Sequence, residues 1–542
     1  MKIKKITLLH VCLLFSSFLL HAQYNFELIK DINPNGDSNP GKFTYFNNKL
    51  IFTADDGVHG REPWISDGTN AGTFMLKDFV LNGNSDITDF QVYNDKAYFN
   101  ADDGVNSGIW VTDGTTVGTQ FLKNVQLNTY SGIVFNGLLY FSGNDGTSGR
   151  ELWVTDGTTN GTNLVKDINS NGDSDPQHFF ELNGNLYFFA RNPQNFLRRN
   201  LWITDGTTTG TIVVNNDVDF ANEINSDVVV YNNKAYFPSF SSANGSELWS
   251  TDGTTIGTQL LKDINPGANS SSISFFKVFN NKLFFSANDG SVGRELWVTD
   301  GTTNGTVLFH NFLAPGDGDP LELTVLGNRM YMRANGPTIG SELFATTGNT
   351  GINNTYLVKD IALFGANSRP FYLNTYNNEL FFIASDDPSG SGSIFDLWVS
   401  NGTQQGTIKI APPIAPNIGP LNENERNFTV VNNSLFFTAS FNSNGNELWK
   451  LTATNLSASE FDWSNELKVY PNPSDDLVTI QFQNDFKGSY SLFNHLGKQI
   501  LTHTINSLET QISLEKYTSG MYLLVLSSDN GEQIQTYKIL KK

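Results

Sequence analysis

The 542-residue chain carries 54 Asp and Glu against 34 Lys and Arg, a formal charge of −20, which excludes nucleic acid and anionic membrane surfaces as partners held by charge. Its single cysteine, Cys12, leaves neither disulfides nor thiolate metal sites to contribute. A single core stops growing near about 250–300 residues, so several domains or a repeat architecture must follow.

The chain opens with Lys2, Lys4 and Lys5, an apolar run from Ile6 to Leu20, then His21 and Ala22 before Gln23. That order of charged, apolar and small residues is the pattern of a secretory signal peptide. The run falls short of the roughly 20 residues of a spanning helix, so cleavage after Ala22 is expected and no membrane span remains. A lipid-modified cysteine is excluded, because Cys12 sits inside the apolar run behind His10 and Val11. Removing 22 residues, three of them lysine, leaves 520 without cysteine and a formal charge of −23. Such acidity suits an extracellular protein that binds cations.

One string then recurs: REPWISDGTNAGT at 61–73, RELWVTDGTTNGT at 150–162, NLWITDGTTTGT at 200–211, ELWSTDGTTIGT at 247–258 and RELWVTDGTTNGT at 294–306. Its anchor aromatics are Trp64, Trp110, Trp153, Trp202, Trp249, Trp297, Phe344, Trp398 and Trp449. Nine units of 43 to 54 residues fill the chain from about 26 to 451. Units seven and eight depart from the pattern, with ATTGNTG at 345–351 in place of the DGT turn and SNGTQQGT at 400–407 without the Asp. These strings resemble the bacterial ELWxxDGT repeat family of large secreted proteins. The resemblance implies secretion and brings no reaction or catalytic residues with it.

Each unit reads as four short strands. In 162–205, NLVKDI is a β-rich run, FFELN and NLYFFA flank the turn Asn183-Gly184, and NLWITD closes the unit. Similar turn signals stand at Asn47-Asn48, Asn136-Gly137, Asn232-Asn233 and Asn280-Asn281, where Asn and Gly tolerate the positive φ of tight hairpins. The fold class expected is therefore all-β, a single β-propeller of about eight to nine four-stranded blades. A β-solenoid is the weaker fit, since its coils are shorter and do not need two hairpins per unit. The lone FELIKDI strand at 26–32 supplies what the last unit, ending ELWKL at 447–451, lacks. The two are expected to share one blade and leave no bare edge. An indole recurring once per blade is expected to pack sheet against sheet rather than to serve as a ligand platform.

The loops DINPNGDSN at 31–39 and DINSNGDSD at 167–175 alternate oxygen-bearing side chains. Asp167, Asn169, Asn171 and Asp175, and more weakly Asp31, Asn33 and Asn35, fit a calcium loop with oxygens at positions one, three and five and Gly at six. The twelfth position is His178 rather than a bidentate Glu, and an Asx-rich turn satisfying its own backbone accounts for the same residues. The sequence contains no HExxH, GxSxG, phosphate-cradling GKS or GKT, or dinucleotide fingerprint, so no catalytic residue is named. The insertions at 385–396 and 411–427 are the loops in which function is first sought.

After the polar stretch at 452–466, LKVYPNPSDDLVTIQF at 467–482, YSLFNHLGKQI at 490–500, SGMYLLVL at 519–526 and YKILKK at 537–542 alternate apolar and polar residues. They read as a small antiparallel β-sandwich. The YPNP at 470–473, with Pro471 and Pro473 expected to fix an extended lead-in, the GMYLL strand and the basic terminal strand resemble the type A C-terminal sorting domain of the type IX secretion system. The resemblance implies that the type IX machinery takes the folded protein across the outer membrane of a Bacteroidota-like cell through 467–542. Two functions remain open: a ligand-binding or adhesion scaffold for an extracellular glycan or protein, or an extracellular hydrolase or lyase acting on polysaccharide or peptide.

Overall fold

A computed structural model describes residues 23–542, apart from 82, 194, 221–226, 352–353, 390–394, 411–427, 442–443, 455–466, 483–487, 495–498 and 529–532. The signal-peptide stretch, the insertion at 411–427 and most of the expected linker lie outside the described residues. Every regular element among those described is a β-strand, and no helix among them is long and apolar enough to cross a membrane. The chain divides into two compact units after Ala453.

The first unit contains nine four-stranded antiparallel sheets. Numbered in chain order, sheets 1 to 8 are each a continuous stretch: 41–75, 91–123, 126–166, 177–215, 229–262, 274–310, 321–359 and 371–410. Sheet 9 is composite. Its strands Thr429–Val431, Ser434–Ala439 and Glu447–Thr454 are completed by the N-terminal strand Gln23–Lys30, the pairing expected from the unmatched ends.

The expected hairpin turns hold, with positive φ at Asn47, Asn48, Asn136, Asn183, Asn232, Asn233, Asn280 and Asn281. The DGT string folds as a second, closed turn. In sheet 3 Asp156 Oδ1 accepts the N–H and the hydroxyl of Thr158 at 2.8 and 2.7 Å, and Thr158 Oγ1 accepts Gly161 N–H at 2.9 Å. Thr162 donates to Thr158 O at 2.7 Å. A Cβ on Gly161 would lie 1.9 Å from Asp156 Oδ1, so glycine is required there for space. In sheet 8 the amide oxygen of Asn401 accepts the same two groups of Thr403 at 3.1 and 2.8 Å, which explains why the Asp is dispensable.

Most anchor rings are buried as expected: Trp64, Trp110, Trp153, Trp202, Trp297, Trp398 and Trp449 are 1 to 6 % exposed and Phe344 8 %. Trp249 is only half-buried, packed against a cluster that sheets 4 and 5 share. Each such cluster is built from two neighbouring sheets. One joins Ile29, Phe436 and Leu448 of sheet 9 to Leu50, Phe52 and Trp64 of sheet 1.

Hydrogen bonds run between successive sheets in the same sense. Asn47 Nδ2 donates to Asp95 O at 3.0 Å, Tyr93 Oη to Gly137 O at 2.5 Å, Lys166 Nζ to Thr211 O at 2.7 Å and Tyr187 Oη to Gly253 O at 3.3 Å. The series continues from Tyr231 Oη to Asn281 O at 2.6 Å, Asn280 Nδ2 to Thr347 O at 2.8 Å, Lys359 Nζ to Thr407 O at 2.7 Å and Tyr376 Oη to Asn433 O at 2.7 Å. Lys30 Nζ of sheet 9 then reaches Thr73 O of sheet 1 at 2.7 Å.

The second unit has a three-stranded and a four-stranded antiparallel sheet. Val478 and Ile480 of the first share a core with Leu492, Leu524, Leu526 and Ile539 of the second. The lead-in differs from expectation: YPNP bends at 472–473 instead of running extended. The bend lets Asn472 clamp the last strand, its Nδ2 donating to Lys538 O at 2.5 Å and its Oδ1 accepting Leu540 N–H at 2.9 Å. Lys541 is buried there, donating to Leu514 O and Tyr517 O at 2.7 Å each.

Candidate ligand-binding face

The glutamate of the ELW string is consumed by the fold. Glu62, Glu151, Glu247, Glu295, Glu342 and Glu447 are fully buried, and each accepts backbone N–H groups from the loop that leaves its own sheet's last strand. Glu151 takes Ile168 N at 2.7 Å, Ser174 N at 2.9 Å and Ser174 Oγ at 2.5 Å. Glu447 holds the corresponding loop across the chain ends, through Ile32 N at 3.0 Å and Ser38 N at 3.1 Å. Burial pushes five of these carboxyls, Glu62, Glu151, Glu247, Glu342 and Glu447, up to about 7 against the pull of their hydrogen bonds. The Asp of the DGT turn is shifted the opposite way. Hydrogen bonds from Thr158 lower Asp156, and Thr69 does the same for Asp67.

The loops singled out for calcium are the ones these glutamates hold. Within 167–175, Asn169 is buried and its amide donates to Asp173 O at 3.2 Å. Asp175 Oδ2 accepts from Gln177 Nε2 at 2.7 Å and Arg199 Nη2 at 2.8 Å, with Arg191 Nη1 at 3.8 Å. Asp167 and Asn171 are exposed. The structure thus commits Asn169 and Asp175 to local partners and leaves Asp167 and Asn171 facing solvent. In the loop at 31–39, Asn33 Nδ2 donates to Asp37 O at 3.3 Å, Asn33 Oδ1 accepts Asn35 N–H at 3.2 Å, and Asp31 is bonded by Asn444. Among the described residues no group of three or more His, Cys, Asp and Glu side chains converges as a metal site would.

Sequence reasoning missed a second feature, on the first strand of five of the sheets. In sheets 1, 4, 6, 7 and 8 the register of that strand slips, between Gly41 and Thr44, Gln177 and Phe180, Ser274 and Lys277, Leu321 and Thr324, and Phe371 and Asn374. Inside each slip one residue has left-handed backbone: Lys42 at φ 58°, His178 at 50°, Phe275 at 56°, Glu322 at 61° and Tyr372 at 55°. Bulky residues rarely adopt that conformation, and a bulge re-aims the side chain it carries. Five equivalent bulges therefore present a cation, an imidazole, two aromatics and an acid. Around those of sheets 6 to 8 lies a cavity of about 320 Å3, lined by Phe275, Phe276, Lys277, Glu322, Thr324 and Tyr372 among others. The alternation of polar and apolar residues gave no sign of this, because positive φ at Phe or Tyr has no composition marker. At the ends of the 385–396 insertion, Lys409 pairs with Asp386 at 2.8 Å and Asp396 at 3.1 Å, while 390–394 lie outside the described residues.

The second unit decides where the protein goes. Residues 468–542 match the model of the secretion system C-terminal sorting domain. The protein is therefore a type IX secretion substrate, secreted or held at the outer-membrane surface of a Bacteroidota-type Gram-negative bacterium. Among characterised proteins, the chain is 28% identical over 138 residues to the ulvan lyase NLR42 of Nonlabens ulvanivorans, covering 25% of this chain and 26% of that one. The chain thus spans about a quarter of that relative's length. Among solved structures it is similar to PorZ, a surface component of the type IX secretion system of Porphyromonas gingivalis. That match has 14% identity and a TM-score of 0.34 and covers 92% of this chain and 75% of the other. Prolyl endopeptidases match with 8% identity and a TM-score of 0.37, covering 82% of this chain and 55% of theirs.

Proposed function

We propose that the protein is a surface-displayed ligand-binding scaffold, a nine-bladed β-propeller of ELWxxDGT repeats followed by a sorting β-sandwich. On this reading the signal peptide is removed after Ala22, and the sandwich engages the type IX machinery. The observation that carries it is the division of labour within each sheet. The repeated Glu, Asp, Thr and Trp side chains close turns, loops and cores, whereas the equivalent bulges at 42, 178, 275, 322 and 372 differ from sheet to sheet. Constant residues that build, and variable residues of which those of sheets 6 to 8 face a cavity, are what recognition on a fixed scaffold requires. A glycan array with the mature protein tests the reading: binding that weakens in Tyr372→Ala while the protein stays folded supports it, and an array blank for the wild type rejects it.

A second reading, an extracellular lyase or hydrolase acting on polysaccharide, is favoured by the partial similarity to an ulvan lyase. Depolymerisation of ulvan or cleavage of chromogenic glycosides by the purified protein selects it over pure binding.

A further inference from the structure

Sheet 7 departs from sheets 1, 3 and 6 at two adjoining positions. In sheets 1, 3 and 6 the third strand begins at Arg61, Arg150 and Arg294, paired with Asp55, Asn144 and Asn288 of the second strand. Arg61 and Arg294 reach the loop before the first strand. Arg61 Nη2 donates to Asn39 O at 2.8 Å, and Arg294 donates to Ser272 O at 2.6 Å and Ser274 Oγ at 2.8 Å. The corresponding residue of sheet 7 is Ser341, paired with Asn335, and its short side chain leaves that space open.

A guanidinium enters instead from the second strand. Arg333 pairs with Leu343 at a register position held by Thr53, Ser142, Ser286 and Thr438 in sheets 1, 3, 6 and 9. In every other sheet the residue there is uncharged. The cavity that results, about 280 Å3, is lined by Arg333, Arg369, Asn335, Asn367, Phe371 and Asp319 together with Ser341.

The Arg333 guanidinium lies 4.4 Å from the centre of the Phe371 ring, which fixes its plane and leaves its edge for a ligand. Among the described residues no acceptor takes its N–H groups. Burial and the like charge of Arg369 both disfavour its ionised form, while Asp319 and Glu322 oppose them. The Asp319 carboxylate is shared, with Arg294 Nε 3.8 Å from its Oδ1. Asn335 Nδ2 donates to Asp317 O at 2.9 Å and Asn367 Oδ1 accepts Ser341 N–H at 2.8 Å, so both amides are oriented with one end committed.

We propose that this pocket binds an acidic sugar, the Arg333 and Arg369 guanidinium groups holding the carboxylate of a uronate ring whose hydroxyls meet Asn335 and Asn367. The fork of an arginine matches a carboxylate in a way a lone ammonium does not, and the polar cavity has room for one ring. The proposal rests on the scaffold reading and names the ligand class of one face of it.

Titration of the mature protein with sodium glucuronate, glucose and sodium acetate, followed by ligand-observed NMR, tests it. Glucuronate is expected to bind with a millimolar Kd, with glucose and acetate each about tenfold weaker or more. Arg333→Met and Arg369→Met should each weaken glucuronate about tenfold, and Asp319→Asn should tighten it severalfold. Equal binding of glucose, equal binding of acetate, or an unchanged Kd in Arg333→Met overturns the proposal. If the arginine variants do not fold, an unchanged affinity in Asp319→Asn overturns it as well. Glucuronate affinity unchanged in the double arginine variant, with array binding of the wild type present, would sink this pocket and leave the scaffold reading intact. Glucuronate binding by a protein blank on the array would do the reverse.

Discussion

Sheets 6 and 7 share one backbone plan and differ in what fills it. Sheet 6 keeps Arg294, Ser286, Trp297 and the Asp300 turn; hydrogen bonds hold Arg294 and the turn, and Ser286 and Trp297 are buried. Sheet 7 replaces them with Ser341, Arg333, Phe344 and a turn closed by Thr347 N–H on Asn354 O at 2.9 Å. The buried Glu342 and its loop survive the exchange, with Ile361 N at 2.8 Å and Ser368 N at 3.2 Å. Sheets 6 and 7 thus keep the same clamp and differ at the positions around it, and it is at the changed positions that a pocket opens.

The largest effect should come from the anchor indoles, which pack one sheet on the sheet before it: Trp297 on sheet 5 and Trp153 on sheet 2. Trp153→Ala or Trp297→Ala is expected to cost about 3–5 kcal/mol, read from denaturant melts. An unchanged midpoint would mean that the indole packs nothing. Next come the glutamate clamps. Glu151→Ala orphans two backbone donors and a hydroxyl in a dry site and should cost about 3 kcal/mol, whereas Glu→Ala at an exposed site such as Glu515 should be silent in the same melts.

The same carboxylates set the pH dependence. Their folded-state pKa is raised from 4.5 to about 7, so the stability they contribute is fully present below about 4.5 and is lost as pH rises through about 7. Each such clamp is expected to lose about 2 kcal/mol of its contribution to stability between pH 5 and pH 7.5. The turn aspartates oppose this only at lower pH, since Asp156 and Asp300 are lowered and their contribution disappears as pH falls through their folded values. A melt that is flat from pH 5 to 7.5 would remove the clamps from the account. A smaller loss of stability is expected for Asp156→Ala in the closed turn, with Asn in its place nearly neutral, as Asn401 already shows. Calcium at 167–175 is the finest distinction. Asp167 and Asn171 face solvent while Asp175 is held by Arg199, so a melting shift on adding calcium that vanishes in Asp167→Ala would assign the loop to the cation, and no shift leaves the turn.

Much of this plan could be read from residue order. The Asn-Asn and Asn-Gly turns, the indole period and the unmatched FELIKDI strand each report a local need or a bare edge, and local needs leave signatures. The clamps were hidden because Glu151 and the loop it holds are 17 to 23 residues apart and meet only once the sheet forms. Lys42, Phe275 and Tyr372 were hidden because a left-handed bulge at such residues is imposed by its neighbours. The Arg333 pocket needed strand register, since Ser341 and Arg333 acquire meaning only across the ladder that places them side by side.

Imaging the purified mature protein by electron microscopy tests most directly the proposed closure of nine sheets through the strand at 23–30. Class averages showing a compact ring of nine lobes are the predicted result. A rod, or an arc with a gap between its first and last lobes, would contradict it.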